Sequence, residues 1–414
     1  MVPKGWTKTT FGEHIDLLNG FAFKSALYSD DESDIKLLRG DNIEPNKLRW
    51  RNVKRWPKDD YESLEKYHLK VNDFVIAMDR TWITAGLKVA EVKQEDLPCL
   101  LVQRVSRIRS LPTLCQDLIK HHFSSYRFEQ YVKSVQTETA VPHISSTQIN
   151  EFNLLLPPLP EQQKIAKILS TWDNAISTTE RLIDNSTQQK KALMQQLLTG
   201  KKRLLDESGK RFESEWEERA VSSLGKIYSG GTPSTSNTEY WDGDINWITP
   251  TDITKQDSRY INSSLRKITL EGLENSSAKL VPAGSLLICT RATIGAMAIT
   301  SHEMCTNQGF KNIIPNSKTN IEFVYYLLTY NKHRMISKAS GSTFLELSKT
   351  SFESMKFRMP AINEQQKIAT VLTNADKEIE LLEQQLADLQ QEKKALMQVL
   401  LTGKKRVVVD GEVT

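Results

Sequence analysis

No stretch of the 414 residues stays apolar for the roughly 18 residues a membrane span needs, and the opening MVPKGWTKTTFGEH has no apolar signal-peptide core. A membrane protein and an exported protein are therefore not expected, and a cytoplasmic location is. Cysteine is scarce: the four are Cys99, Cys115, Cys289 and Cys305. There is no C-x-x-C, and no histidine stands beside them at a ligand spacing. That disfavours a disulfide framework and a zinc site and predicts buried thiols. One-signed charge is missing too, since 55 basic against 51 acidic residues leave +4. Such a balance excludes a histone-like polycation; it permits nucleic acid without requiring it.

Signatures of chemistry are equally sparse. GxxxxGK[ST], H-E-x-x-H, G-x-S-x-G and G-x-G-x-x-G do not occur. Gly200-Lys201 and Gly403-Lys404 lack the upstream glycine of a phosphate loop, and GGTP at 230–233 does not read as a strand-to-helix loop. The pair His121-His122 sits in an amphipathic segment and reads as core or surface rather than as a ligand pair. No catalytic residue, no metal and no cofactor bound by this chain is expected.

What the chain does have is repetition. EQQKIA stands at 161–166 and again at 364–369, and KKALMQQLLTGKKR at 190–203 returns as KKALMQVLLTGKKR at 393–406, both 203 residues apart. That offset is too long for a solenoid and marks duplication of a whole domain with its helix. The likeness extends upstream, where ISSTQINEFNLLLP (144–157) lies over LSKTSFESMKFRMP (347–360). More weakly, LLRGDNI (37–43) lies over WITPTDI (247–253), VNDFVIAMDRTWITAG (71–86) over VPAGSLLICTRATIG (281–295), and LVQRVSRI (101–108) over TNQGFKNI (306–313). The third pairing sets Arg80 against Arg291, and the fourth sets Gln103 against Gln308.

The repeated helices carry the clearest local signal. Prolines in LPPLP (156–160) end a strand and suit a helix start, and Asn363 is the expected N-cap of the second helix. Glu161 and Glu364 fall in first turns, where the helix dipole favours negative charge. Gly200 and Gly403 are the expected stops, each followed by Lys-Lys-Arg. Between them runs a 3,4 apolar seam: Ile165, Leu169, Trp172, Ile176, Thr179, Ile183, Ser186, Lys190, Leu193 and Leu197. Its copy is Ile368, Leu372, Ala375, Ile379, Leu382, Leu386, Leu389, Lys393, Leu396 and Leu400. A seam of about five heptads predicts a coiled coil, with the two lysines as register-setting polar positions. The chain supplies both strands of that coil. A pseudo-twofold between the halves requires them to run antiparallel, as a bar of about 58 Å between two heads.

Between the helices the chain reads as mixed α/β. Short strand-like runs such as DFVIAM and SLLICT are separated by Gly, Pro, Asn and Asp clusters. FVYYLLTYNKHRMI (323–336) and its counterpart near 117–132 have a helical period. NKLRWRNVKRWPK (46–58) carries six cations, two tryptophans and no acid, which suits phosphate and guanine contacts. Its counterpart YSGGTPSTSNTEYWDGDINWITPTDITK (228–255) offers Thr, Ser and Asn on loops instead. QTETAVPHIS (136–145) and SGSTFLELS (340–348) occupy equivalent places before the helices and are candidates to line a groove. The candidate DNA-binding residues are Arg39, Asn42, Arg49, Arg51, Arg55, Arg80, Gln103, Thr232, Ser234, Thr249, Asp252, Arg291 and Gln308. For several a structural role competes, with Asp252 and Gln103 as turn caps and Arg80 and Arg291 as internal ion-pair partners. The apolar seam residues are the candidate helix-pair and subunit interface.

In this order of parts the chain resembles the DNA-specificity (S) subunits of type I restriction–modification systems. LPPLPEQQKIAKIL and MPAINEQQKIATVL are similar to that family's helix openings, and ALMQ-x-LLTGKKR to its helix endings. SGGTP…YWDGDINWI and LNGFAFKS…IKLLRGDNI are similar to the openings of its recognition domains. The resemblance covers the whole chain. It implies target-recognition domains at 1–155 and 207–358, helical spacers at 156–206 and 359–407, and a tail at 408–414. It further implies that each head reads one half of a split target in double-stranded DNA, while the helix pair sets the unread gap. The helices would dock two copies of a methyltransferase subunit, which binds S-adenosylmethionine and methylates adenine. Restriction subunits, supplied with ATP and Mg, complete such systems. Competing expectations are a scaffold that binds no DNA and the specificity subunit of a related non-translocating system.

Overall fold

The computed structural model describes residues 2–83, 86–136, 142–256, 258–341 and 345–409. Of the two groove-lining candidates, residues 137–141 and 342–344 lie outside the described residues, as does the tail from 410 onward. The chain divides into two compact units, Met1–Glu180 with Gln384–Thr414, and Arg181–Glu383.

Each unit holds a larger sheet, a three-stranded sheet and a two-stranded pair, and the first adds two short pairs, Ile43–Glu44 with Lys47–Leu48 and Trp82–Ile83 with Gly86–Leu87. In the first unit a four-stranded sheet has the order Val89–Glu91, Phe74–Ala77, Val105–Ser110, Ile15–Asn19. In the second the order is Gly225–Ser229, Phe310–Pro315, Leu286–Cys289, Met297–Thr300, Tyr260–Ile261, the last strand being an addition. A three-stranded sheet follows in both. Ile35–Leu38 lies between Cys99–Leu101, which is parallel to it, and Arg55–Trp56, which is antiparallel. Trp241–Ile248 likewise lies between parallel Cys305–Thr306 and antiparallel Lys267–Ile268. Gly20 and Gly230 are at the equivalent entry to this sheet. A Cβ on either would come within 2.2 Å of Val102 O or 1.9 Å of Asn307 O, so neither site accepts a side chain. This close approach explains the glycines in LNGF and SGGTP.

Helices cover the larger sheet of each unit: Gln116–Phe123 and Tyr126–Val135 in the first, Ile321–Tyr330 and Lys332–Lys338 in the second. The two repeated segments form helices Leu159–Leu197 and Ile362–Leu400, 39 residues each. Ile362 already belongs to the second helix, so Asn363 lies inside it and is not its cap. The backbone N–H groups of Glu364 and Gln365 reach back to Ala361 O instead. Gly200 and Gly403 take the left-handed conformation that stops a helix, with φ of 70° and 68°.

Within the first unit the start of the first long helix meets the end of the second: Glu161 bonds Arg406 and Asp173 bonds Lys393. Within the second, Lys190 pairs with Asp376, Ser186 bonds Glu378 and Arg203 bonds Glu364. In each unit the two helices therefore run antiparallel, and both seam lysines are answered by an aspartate across the seam. Every seam position is buried or half-buried. Ile165, Leu169 and Leu400 are enclosed in the first unit's core, and Leu197, Ile368 and Leu372 in the second's. Trp172, Ile176, Ile183, Leu193, Ile379, Leu382, Leu386, Leu389 and Leu396 are only half-buried. The head cores enclose the two ends of the seam, and near its middle Thr179 is the buried position.

The first-turn glutamates do more than answer a dipole. Glu161 accepts two hydrogen bonds from Arg406, at 2.6 and 2.7 Å, and one from Trp6 Nε1 at 3.0 Å. Glu364 accepts two from Arg203, both at 2.7 Å, and one from Trp216 Nε1 at 3.3 Å. Both carboxylates are buried. The arginine that closes each Lys-Lys-Arg thus clamps the other helix's beginning, and the clamp is copied at the 203-residue offset. Gln162 and Gln365 repeat the pattern, each donating to the carbonyl of Pro157 or Pro360 at 2.9 Å.

Among the described residues no helix is long and apolar enough to cross a membrane, and no group of three His, Cys, Asp or Glu residues could hold a metal ion. His121 and His122 are buried in the first unit's core, where burial pushes both imidazoles down to about 3. The cysteines are free thiols, and burial raises Cys99, Cys289 and Cys305 to about 12.

Candidate nucleic-acid interface

The middle strand of each three-stranded sheet ends in the same capped turn. After Ile35–Leu38, the Arg39 N–H donates to Asn42 Oδ1 at 3.0 Å; after Trp241–Ile248, the Thr249 N–H donates to Asp252 Oδ2 at 2.7 Å. Asn42 and Asp252 were candidates for base contacts. Here they are structural: Asn42 is buried and donates from Nδ2 to Arg49 O at 3.1 Å, while Asp252 Oδ1 accepts from the Leu265 N–H at 2.8 Å. Short polar side chains are spent on the orphan backbone groups of a tight turn.

Half of the cations in the basic run 46–58 are engaged as well. Arg49 pairs with Glu44 at 2.8 Å and Lys47 with the same carboxylate at 3.4 Å. Arg55 donates to Asp34 O at 3.0 Å. Trp56 is buried, and Trp50 donates from Nε1 to Asp96 at 2.7 Å with the Lys36 ammonium 4.7 Å over one face of its ring. Arg51 is exposed and makes no hydrogen bond or ion pair among the described residues. Arg39 pairs with Asp41 at 3.3 Å and stays partly exposed.

The strand ends next to this turn carry the other candidates. Gln103 and Gln308 stand exposed two residues before the equivalent strands Val105–Ser110 and Phe310–Pro315. Gln308 accepts from Thr232 Oγ1, and Ser234 Oγ bonds Ser236 Oγ at 2.8 Å. Arg80 is exposed, but it is not the counterpart of Arg291. Asp79 bridges His143 and Arg291 bridges Glu346, and the left-handed residues next in sequence are Arg80 and Ala292, φ 45° and 60°. The sequence pairing is therefore one residue out of register, because a shared arginine outweighed the backbone signal. Arg291 lies 3.7 Å from Glu346, an internal ion pair.

Two cations at this edge were missed. Arg104, in the left-handed conformation, pairs with Asp79, which also bonds His143 at 2.7 Å. Burial works to raise the Asp79 carboxyl, but hydrogen bonds from His143 and Arg104 outweigh it and hold it below the usual carboxylate range. Lys88 is buried against Gly40, and burial pushes its ammonium below the usual lysine range. Arg104 adjoins Gln103 and was visible in the sequence; nothing there marked Lys88.

Two like heads, each fastened to the same pair of helices and differing in the side chains of equivalent turns, define a two-headed recognition protein. The profile of the family described as type I restriction modification DNA specificity domain matches residues 3–185 and 213–391, and the chain belongs to that family. Relatives agree. The putative type I restriction enzyme MjaX specificity subunit of Methanocaldococcus jannaschii is 27% identical over 98% of this chain and 95% of its own length. The MjaIX specificity subunit of the same organism is 38% identical over 41% of this chain, a match spanning only 40% of that protein. The EcoAI specificity subunit of Escherichia coli is 35% identical over 44% of this chain and 30% of its own length. Among solved structures, the type I restriction–modification S subunit from M. genitalium shares the fold with a TM-score of 0.58 at 14% identity, covering 97% of this chain and 96% of that one. A chain from work on complex assembly and conformational transition of the type I system gives 0.60 at 17% identity, covering 98% of this chain and 100% of that one.

Proposed function

We propose that this chain is the non-catalytic address of a type I restriction–modification complex. Each head reads one half of an asymmetric, two-part target in double-stranded DNA. The observation that carries this reading is the contrast within the duplication: the helix-end clamps are copied residue for residue, while equivalent turns of the heads carry different side chains. A duplicated scaffold with divergent loops suits one partner bound twice and two different sequences read. The half-buried middle of the helix seam, with exposed Leu182 and Leu381 beside it, fits docking of two copies of a methyltransferase subunit. In this scheme S-adenosylmethionine belongs to that subunit, and ATP and Mg to the restriction subunits.

Two weak interfaces on one stiff support gain affinity only when both half-sites lie at the matching spacing. Inserting or deleting helix residues near 184–190 is therefore expected to change the preferred gap and leave both half-sites intact. Adenine methylation of a gap-length library by the assembled complex checks this; an unchanged gap preference would sink the ruler role. The function itself is tested by mapping methylated adenine in cells co-expressing this chain with its methyltransferase subunit. A split motif is expected. A soluble complex with no modified motif, and binding without steep salt dependence, would favour the scaffold reading instead.

A further inference from the structure

After the capped turn, each head runs through a connecting segment before it rejoins the three-stranded sheet; in the second head that segment includes Tyr260–Ile261 of the larger sheet. The return points are equivalent: the Leu37 N–H donates to Lys54 O at 2.8 Å, and the Trp247 N–H donates to Arg266 O at 3.3 Å. Both segments are held from beneath by the cap residue's side chain, Asn42 on Arg49 O and Asp252 on the Leu265 N–H. The supports are stiff. Arg49 N–H also reaches Asn42 O at 2.8 Å, the Ser264 N–H reaches Asn246 Oδ1 at 3.1 Å, and the Arg266 guanidinium stacks 3.7 Å above Trp241. Side chains shortly before these return points are left outside. Arg51 is exposed without a partner among the described residues, beside Asn52 in the left-handed region at φ 50°. Leu265 is 74% exposed, the most exposed of the large apolar side chains among the described residues.

A large apolar side chain held out in water by a rigid loop gains nothing for its own fold. An unpaired arginine three residues before the first head's return point gains nothing either. Cations flank both, Arg49 and Lys54 in one head, Arg266 and Lys267 in the other, which suits a polyanion around them. We infer that these exposed side chains near the loop returns read bases for the two heads: Arg51 takes the O6/N7 edge of a guanine in one half-site, and Leu265 packs on the C5-methyl of a thymine in the other. A guanidinium fork matches the guanine edge with two hydrogen bonds, and an apolar side chain matches the one methyl the major groove displays. The inference rests on the proposed function and moves sequence choice from Asn42 and Asp252 to the residues they hold up.

The test uses the complex of the full chain with its methyltransferase subunit, on duplexes carrying the motif found for the unaltered complex. Arg51→Ala is expected to slow methylation about tenfold and to relax one guanine position in the first head's half-site. A 7-deazaguanine at that position should slow the unaltered complex comparably and the variant no further. Leu265→Ala should cost about fourfold; uracil in place of one thymine of the other half-site should match that loss and add nothing to the variant. A variant that merely loosened its loop would leave the base analogue still effective, and its effect would multiply. Rates and base preferences unchanged in both variants, multiplying effects, or a first half-site without guanine in either strand would overturn the assignment. An unaltered complex with no split motif would instead contradict the proposed function, and this inference with it.

Discussion

Asp173 and Asp376 occupy the same place in the two units, yet their surroundings differ on one side only. Toward the opposite helix each accepts from a repeated lysine, Lys393 or Lys190. Toward its own head, Asp173 has Lys120 at 3.5 Å and the neutral, buried His121 at 3.9 Å. Asp376 instead joins a network: Arg259 Nη1 donates to it at 3.1 Å, Tyr326 OH also donates to it, and Glu322 links Arg259, Tyr260 and Thr373. The face shared by the helices has been copied, and the face shared with a variable head has been rebuilt. Helix register tolerates no improvisation, whereas a head needs only some satisfied partner for a carboxylate that cannot be left bare.

The largest test of this comparison attacks what is copied. Glu364→Ala leaves Trp216 without its acceptor and Arg203 with only Ser214 O, and is expected to destabilise the second unit by about 3 kcal/mol. Glu161→Ala should cost the first unit less, because the Arg406 side chain is 42% exposed against 19% for Arg203 and keeps Lys4 O as an acceptor. Hydrogen exchange resolves the two units; equal loss of protection in both from one variant would break the picture of separate, equivalent clamps.

Acid should separate the units next. His121 and His122 are held down to about 3 by burial, far below the roughly 6.5 of an unfolded imidazole. Their contribution is complete above about 6.5 and is lost as pH falls toward 3, because only the unfolded chain can take up the protons. At pH 5 the loss is about 2 kcal/mol per histidine. The second unit has Tyr326 where the first has His121, and its own histidines His302 and His333 are exposed. Protection in Gln116–Phe123 should therefore fall between pH 7 and 5 while that in Ile321–Tyr330 holds; parallel loss would contradict the account.

The seam lysines give the smallest and most discriminating contrast. Lys190→Ala leaves Asp376 with Arg259 and Tyr326, whereas Lys393→Ala leaves Asp173 with Lys120 alone as a cation. Both changes should cost on the order of 1 kcal/mol, with Lys393→Ala the larger. Thermal unfolding of the two single variants measures the order, and the reverse order would show that the richer network is not a buffer.

The helices were legible because their signal is periodic and written twice. Apolar residues every three or four positions and glycine stops define them without reference to anything distant. The strand pattern of the heads was partly legible through DFVIAM and SLLICT, which became Phe74–Ala77 and Leu286–Cys289. The clamps were not. Nothing local tells that Arg406 returns to Glu161, or that the indole closing the site comes from Trp6. The interface was least legible, since a buried Asn42 and an exposed Arg51 look alike in a string of polar loop residues. Which of them faces solvent depends on hydrogen bonds that only the folded turn creates. Arg80 and Arg291 were paired by identity when backbone conformation pairs Arg80 with Ala292.

The most direct measurement of the central claim is methylated-adenine mapping with the second head, about 208–355, exchanged for a different one. The account predicts that one half of the split motif changes while the other half and the gap stay as they were. Change in both halves, or in neither, would contradict it.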